Sequence, residues 1–266
     1  MSSANGLLAK LFLRYASPFV SLRRLPVIGP CLRWAGLRIV ARDALVWVQV
    51  RRGPAAGIWL KLNPRTGRDV LEGRGELEVQ NALQNHIAPG MTFYDLGANI
   101  GFFTMLAAKL VGGTGQVTAF EADPEIAARL REHATRNQFY WVTVEEKAVW
   151  SETRTVHFAR ADPKASPDRG LGHVVASGTD DAFKMDAVSL DDYAQKTSAM
   201  PDFIKCDVEG AEVEVFRGAQ RVLAAKRPVI VCEIHGDNRA AVLGELLPLG
   251  YVCTDCGPYH ILALPE

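Results

Sequence analysis

From residue 91 onward, short apolar runs alternate with longer amphipathic stretches, and this alternation predicts an α/β protein with a mainly parallel sheet. Met91 to Leu96 reads as a buried strand, and Ile100 to Val111 as an apolar helix. Gln116 to Phe120 is the next strand, followed by a helix running to Asn137 and a third strand from Trp141 to Val144. Thr153 to Phe158 has the pattern of an extra strand. Asp202 to Cys206 and Pro228 to Ile234 are core strands, with a helix from Asp237 to Leu247 after the second. Tyr251 to Thr254 and His260 to Ala263 predict a closing antiparallel hairpin around the turn Asp255-Cys-Gly-Pro258.

Upstream, Ala44 to Val50 and Gly57 to Leu62 form a predicted hairpin joined by Arg51 to Ala56. Asn63 to Gly75 reads as a loop, and Glu76 to Ile87 as a helix with Leu77, Leu83 and Ile87 facing inward. Before Asp43, the first acid, stand Lys10, Arg14, Arg23, Arg24, Arg33, Arg38 and Arg42. Leu7, Leu8, Leu11, Phe12 and Tyr15 lie among them at helical spacing, and Pro26, Gly29 and Pro30 divide the segment. Such a basic amphipathic helix suits peripheral contact with an anionic inner-membrane surface. It suits equally a partner or homodimer contact, or packing on the main domain. No apolar run has the length of a bilayer span, and no secretory signal pattern is present. The chain divides into an extension, residues 1–74, and a catalytic-type domain, residues 75–266.

Charge narrows the function classes. Thirty basic residues balance thirty acidic ones, so nothing in the global charge calls for nucleic acid. Five cysteines, an odd number, suggest a reducing, cytoplasmic setting. Cys253-Thr-Asp-Cys256 has metal-like spacing without a second pair, so no metal site is assigned.

The segment Asp95-Leu-Gly-Ala-Asn-Ile-Gly101 is the chemical focus. A strand, a glycine turn and a helix start present backbone N–H groups to a ligand, with Gly97, Ala98, Asn99 and Gly101 as candidates. The spacing differs from a dinucleotide turn, because Asp95 stands where its first glycine would be. It lacks the Gly-Lys-Ser/Thr of a P-loop. An acid at the strand end suits a cationic or amine-bearing ligand, as S-adenosylmethionine is. Glu121 at the tip of the next strand, followed by Ala122, suits ribose hydroxyls, and Asp123 can cap the helix that Pro124 begins.

Together with Phe120-Glu-Ala-Asp-Pro124 and Phe203-Ile-Lys-Cys-Asp-Val-Glu-Gly-Ala-Glu212, that turn resembles the FkbM-type family of S-adenosylmethionine-dependent methyltransferases. The match runs from about Glu78 to Tyr251. The resemblance implies a Rossmann-like class I methyltransferase sheet and O-methylation of a small molecule, sugar or glycan. It also implies that Glu78 touches the methionine end of the cofactor, and that Glu146 and Ala148 meet the adenine.

The remaining candidates sit at strand ends. Asp207 is placed to face both the cofactor methyl group and the acceptor, with Glu209 beside it, while Glu212 most simply starts a helix. Glu233 interrupts an apolar strand and needs a partner, Lys205 or a ligand. His235 at that strand's tip is a candidate general base. Asp207, Glu209, Glu233 and His235 would be the ligands if a divalent cation assisted. Ala161 to Ala182, rich in Pro, Gly, Ser and Asp and containing His173, is expected to border the acceptor pocket.

Overall fold

A computed structural model describes residues 45–63, 67–160, 172–175 and 182–266. The basic N-terminal segment and most of the loop around His173 lie outside them. Strands β1 (Val46–Gln49) and β2 (Trp59–Leu62) form the antiparallel hairpin that the sequence predicts. Helix α1 (Arg68–Leu71) falls inside the expected loop, where a single helical turn closes on Gly67. Helix α2 (Leu77–His86) follows. Leu83 and Ile87 face the core as expected, but Leu77 is half exposed and Val79 and Ala82 take the inward face instead. Helical periodicity explains the change, since residues 79, 82 and 83 share one stripe and 77 lies off it.

The core then alternates strand and helix: β3 (Thr92–Leu96), α3 (Phe102–Val111), β4 (Gln116–Phe120), α4 (Pro124–Asn137) and β5 (Val142–Glu145). Asp123 caps α4 by accepting from the N–H groups of Glu125 and Ile126, with Pro124 at the first helical position. An inserted four-stranded sheet comprises β6 (Ala148–Val149), β7 (Arg154–Ala159), β8 (His173–Val175) and β9 (Ala182–Val188). Helix α5 (Leu190–Thr197), strand β10 (Phe203–Cys206) and helices α6 (Glu212–Arg217) and α7 (Gln220–Lys226) return to the core. Strand β11 (Val229–Glu233), helix α8 (Arg239–Leu246) and the hairpin β12 (Tyr251–Asp255) and β13 (His260–Pro265) complete it.

The central sheet has the order β12-β13-β11-β10-β3-β4-β5. Strands β11, β10, β3, β4 and β5 are parallel, and the hairpin pairs antiparallel through β13 on β11. This is the Rossmann-like class I methyltransferase architecture that the sequence predicts. Both faces of the parallel strands are covered, which is why they read as near-continuous apolar runs. Phe93 joins Met105, Leu106 and Leu60 on one face, while Tyr94 and Leu96 join Phe120, Phe216 and Ile230 on the other.

The hairpin β1–β2 is anchored by side chains of α4. Asn137 Oδ1 accepts from the Trp59 N–H, and His133 Nε2 accepts from the Lys61 N–H, both at 2.8 Å. The other ring nitrogen of His133 donates to the Ile100 carbonyl at 2.7 Å, next to the glycine turn. Among the described residues, no helix is long and apolar enough to cross a membrane.

Strand order reverses between β3 and β10. Ligand sites in open α/β sheets form outside the carboxyl ends of the strands at such a point. Here those ends are Leu96-Gly97 and Cys206-Asp207, linked where the Asp207 N–H donates to the Leu96 carbonyl at 3.0 Å.

Candidate active site

Left-handed backbone builds the turn after β3: φ is 72° at Gly97, 49° at Asn99 and 81° at Gly101. Gly97 is sterically required, because a Cβ there would stand 1.8 Å from the Asp207 carbonyl oxygen. At Gly101 it would meet Leu130 at 2.8 Å. The expected role of the N–H groups is corrected by the structure. Those of Gly97 and Ala98 donate to the Phe120 carbonyl, that of Asn99 to Glu121, and that of Gly101 to Ala98. The chain curls across the tip of β4 and satisfies these donors within the protein.

Glu121 is buried at that tip. Its two oxygens accept from the N–H groups of Asn99 at 2.7 Å and Asp123 at 2.8 Å. Burial pushes its carboxyl up to about 7. A cleft opens here, lined by Gly97, Asn99, Glu121, Ala122, Ala148 and Asp207, among others. Phe120, Val149, Phe158 and Val174 supply apolar walls, so the inserted sheet closes one side. His173 also lines this cleft, while residues 161–171 and 176–181 of its loop lie outside the described residues.

Three expected cofactor residues are not among those lining this cleft. Glu146 turns to solvent and pairs with Arg131 at 3.1 Å, while Lys147, one residue on, lines the cleft. Both residues lie in the bend between β5 and β6, outside either strand. Asp95 is fully buried beneath the turn, where it accepts from Thr104 Oγ1 at 2.5 Å. Glu78 points at His260 across 3.5 Å.

Lys205 is not the partner of Glu233. Its Nζ lies 3.0 Å from Asp207 and 3.7 Å from Asp95, and donates to the Gly97 carbonyl at 3.2 Å. In register Lys205 is level with Asp95 on β3 and Val231 on β11, which leaves Glu233 two residues further along. Burial alone would lower the Lys205 ammonium, but the Asp207 and Asp95 carboxylates outweigh that and raise it. The lysine therefore stays charged and fixes Asp207 at the edge of the cleft.

His235, beyond the end of β11, is held by a residue that the sequence marked only as a helix start. Glu212 opens α6, is fully buried, and has one oxygen 2.8 Å from His235 Nδ1. It also accepts from Asn238 Nδ2 and from the Gly210 N–H, each at 2.9 Å. These bonds hold the Glu212 carboxyl below its usual range against the opposing effect of burial. An ionised carboxylate only accepts, so Nδ1 carries a proton and Nε2 is the nitrogen turned toward the other carboxylates.

Around Nε2 stand Glu209 at 3.3 Å, Glu233 at 3.6 Å and Asp207 at 4.0 Å. Hydrogen bonding to Glu212, reinforced by Glu209 and Asp207, raises the imidazole to about 9. Burial and the neighbouring Asp207 push Glu209 up to about 7. Glu209 reaches inward from a left-handed backbone, φ 52°, beside Gly210 at 99°. The candidates Asp207, Glu209, Glu233 and His235 thus meet in one cluster, and Asp207 and Glu209 also line the cleft. Glu212 was legible only as an acid at a helix start.

Residues 95–253 match the model of the methyltransferase FkbM domain. The hexuronic acid methyltransferase AglP of Haloferax volcanii is 27% identical over 163 residues, covering 61% of this chain. The match spans 63% of that relative's length, less than two thirds. Similar solved structures include a methyltransferase FkbM from Methylobacillus flagellatus, 17% identical with a TM-score of 0.48, over 75% of this chain and 54% of that one. An S-adenosylmethionine-dependent O-methyltransferase from Thermotoga maritima is 14% identical with a TM-score of 0.45, over 88% and 81% of the two chains. Since the family model spans more than half of its 266 residues, the chain belongs to the FkbM methyltransferase domain family.

Proposed function

We propose that the protein binds S-adenosylmethionine in the cleft beside Glu121 and methylates a hydroxyl group of a sugar-like acceptor. The observation that carries this reading is the pairing of buried Glu212 with His235, whose other nitrogen faces the carboxylate cluster at the carboxyl edge of the sheet. The cleft has the chemistry for the cofactor. Each Glu121 oxygen keeps a lone pair for a ribose hydroxyl beyond its backbone bond. Ala122, Ala148, Val149 and Phe158 offer an apolar slot for a flat ring.

Bound S-adenosylmethionine supplies an electrophilic methyl group on a sulfonium. The chain's own residues do the rest. Glu212 holds the ring of His235, so that Nε2 can take the acceptor's hydroxyl proton as general base. Asp207, fixed by Lys205, orients that hydroxyl at the mouth of the cleft. The inserted sheet walls one side of the cleft. The 27% identity to a hexuronic acid methyltransferase supports a sugar acid or related glycan as acceptor.

Calorimetric titration with S-adenosylmethionine and S-adenosylhomocysteine tests the cofactor. Binding should weaken by more than about tenfold, or 1.4 kcal/mol, in Glu121→Ala. Absence of binding to folded wild-type protein would overturn the reading.

A further inference from the structure

The geometry points to a divalent-cation site formed by Glu76, Glu233 and His260, separate from the Glu212–His235 pair. These residues come from three places: the residue before α2, the end of β11 and the start of β13. One ligand atom from each lies within 4.8 Å of the others. His260 is the decisive member. It is 5% exposed, and neither ring nitrogen makes a hydrogen bond. Its neighbours are three carboxylates at ion-pair distance rather than in-line hydrogen-bond partners, an arrangement that a cation between them would complete.

The ring is aimed as a ligand would be. Nε2 faces Glu76 Oε2 at 3.6 Å and Glu233 Oε2 at 3.5 Å. Nδ1 faces Glu78 Oε1 at 3.5 Å. Metal-binding histidines characteristically point one nitrogen at the ion and the other at a carboxylate that fixes the ring. Ligand atoms around a small divalent ion at about 2.1 Å stand roughly 3.0–3.5 Å from each other, close to the separations of His260 Nε2 from Glu76 and Glu233. Surrounding backbone holds it in place. Glu76 adopts a left-handed conformation, φ 41°, which is costly for a residue with a side chain. The hairpin tip presses on Glu78 at Gly257, where a Cβ would meet Glu78 Cγ at 2.8 Å. Three carboxylates around one imidazole carry excess negative charge, and two carboxylates with one imidazole suit Mn²⁺ or Zn²⁺. Glu233 also reaches His235, at 3.6 Å, so the site adjoins the catalytic cluster through a shared residue.

The test is titration of chelator-stripped full-length protein with Mn²⁺, followed by electron paramagnetic resonance and calorimetry. Neither readout depends on methyl transfer. One saturable Mn²⁺ per chain is expected. Loss of outer-shell partners alone weakens metal sites about 10- to 100-fold, so Glu76→Gln and His260→Gln should weaken binding at least about tenfold. His235→Gln should retain it. Glu76 is 43% exposed, so Glu76→Gln tests the site with the core intact, and matching urea transitions of the stripped proteins establish that. Three results would overturn the site: no saturable binding by folded wild-type protein, binding that survives Glu76→Gln, or binding lost in His235→Gln and kept in Glu76→Gln.

Discussion

Glu212 Oε1 and His235 Nδ1 lie 2.8 Å apart, although 23 residues separate them in the chain. The carboxylate is fully buried, and its other oxygen is held by Asn238. The imidazole therefore has one orientation, one tautomer and a raised proton affinity.

The His235–Glu212 pair predicts a pH profile. A general base works only when deprotonated, and His235 is raised to about 9, so kcat/KM should climb with pH toward that value. Glu212→Gln removes the largest upward influence and should move the inflection to lower pH, with a lower plateau from the weaker, looser base. His235→Gln should cost about 10²- to 10⁴-fold in rate while cofactor binding persists. Methyl-transfer rates from pH 6 to 10 check both, and an inflection that stays put in Glu212→Gln would remove Glu212 from this role.

His133 predicts acid sensitivity of the opposite sign. Burial lowers it to about 4, and both ring nitrogens are committed to Lys61 and Ile100. Its folded value lies below the ordinary 6.5, so its contribution is complete above that pH and is lost as pH falls toward 4. Up to about 3 kcal/mol is at stake. Glu121 and Glu209, both raised to about 7, act the other way over part of this range. The stability difference between wild type and His133→Gln isolates the histidine. Urea unfolding should show that difference shrinking between pH 7 and pH 4.

Lys205 bridges Asp95 and Asp207, and its side chain is 4% exposed. Replacing it with Met would strand the fully buried Asp95 carboxylate beneath the turn. Removing one partner of a buried pair costs about 3–5 kcal/mol. Denaturant melts should show a loss of that size, and adding Asp95→Asn should restore part of it.

Gly97 predicts a steric penalty. An Ala side chain would have to occupy the space of the Asp207 carbonyl, 1.8 Å away, at φ 72°. Backbone strain and overpacking together should cost at least about 2 kcal/mol. The turn also borders the cleft, so S-adenosylhomocysteine affinity should fall as well. Unfolding and calorimetry on Gly97→Ala measure the two effects separately.

The sequence by itself determined the alternation of strands and helices, the closing hairpin and the glycine turn. It also placed Asp207, Glu209 and Glu121 near strand tips. These are local properties: apolar period, residues without a Cβ, and caps such as Asp123 beside Pro124. Tertiary structure alone decided the pairings. Lys205 meets Asp95 and Asp207 rather than Glu233, because register sets it level with β3. Glu212 meets His235, and His260 meets Glu76, Glu78 and Glu233, because the sheet order β13-β11-β10-β3 brings distant strand ends to one edge. Leu77 turns outward because helical phase is settled only when the whole element packs, and Glu146 does so from the bend between β5 and β6. A charged residue at a strand tip looks the same in sequence whether it faces water, a ligand or a buried partner. Long-range burial makes the distinction, since it removes water and leaves each charge only the neighbours that the fold supplies.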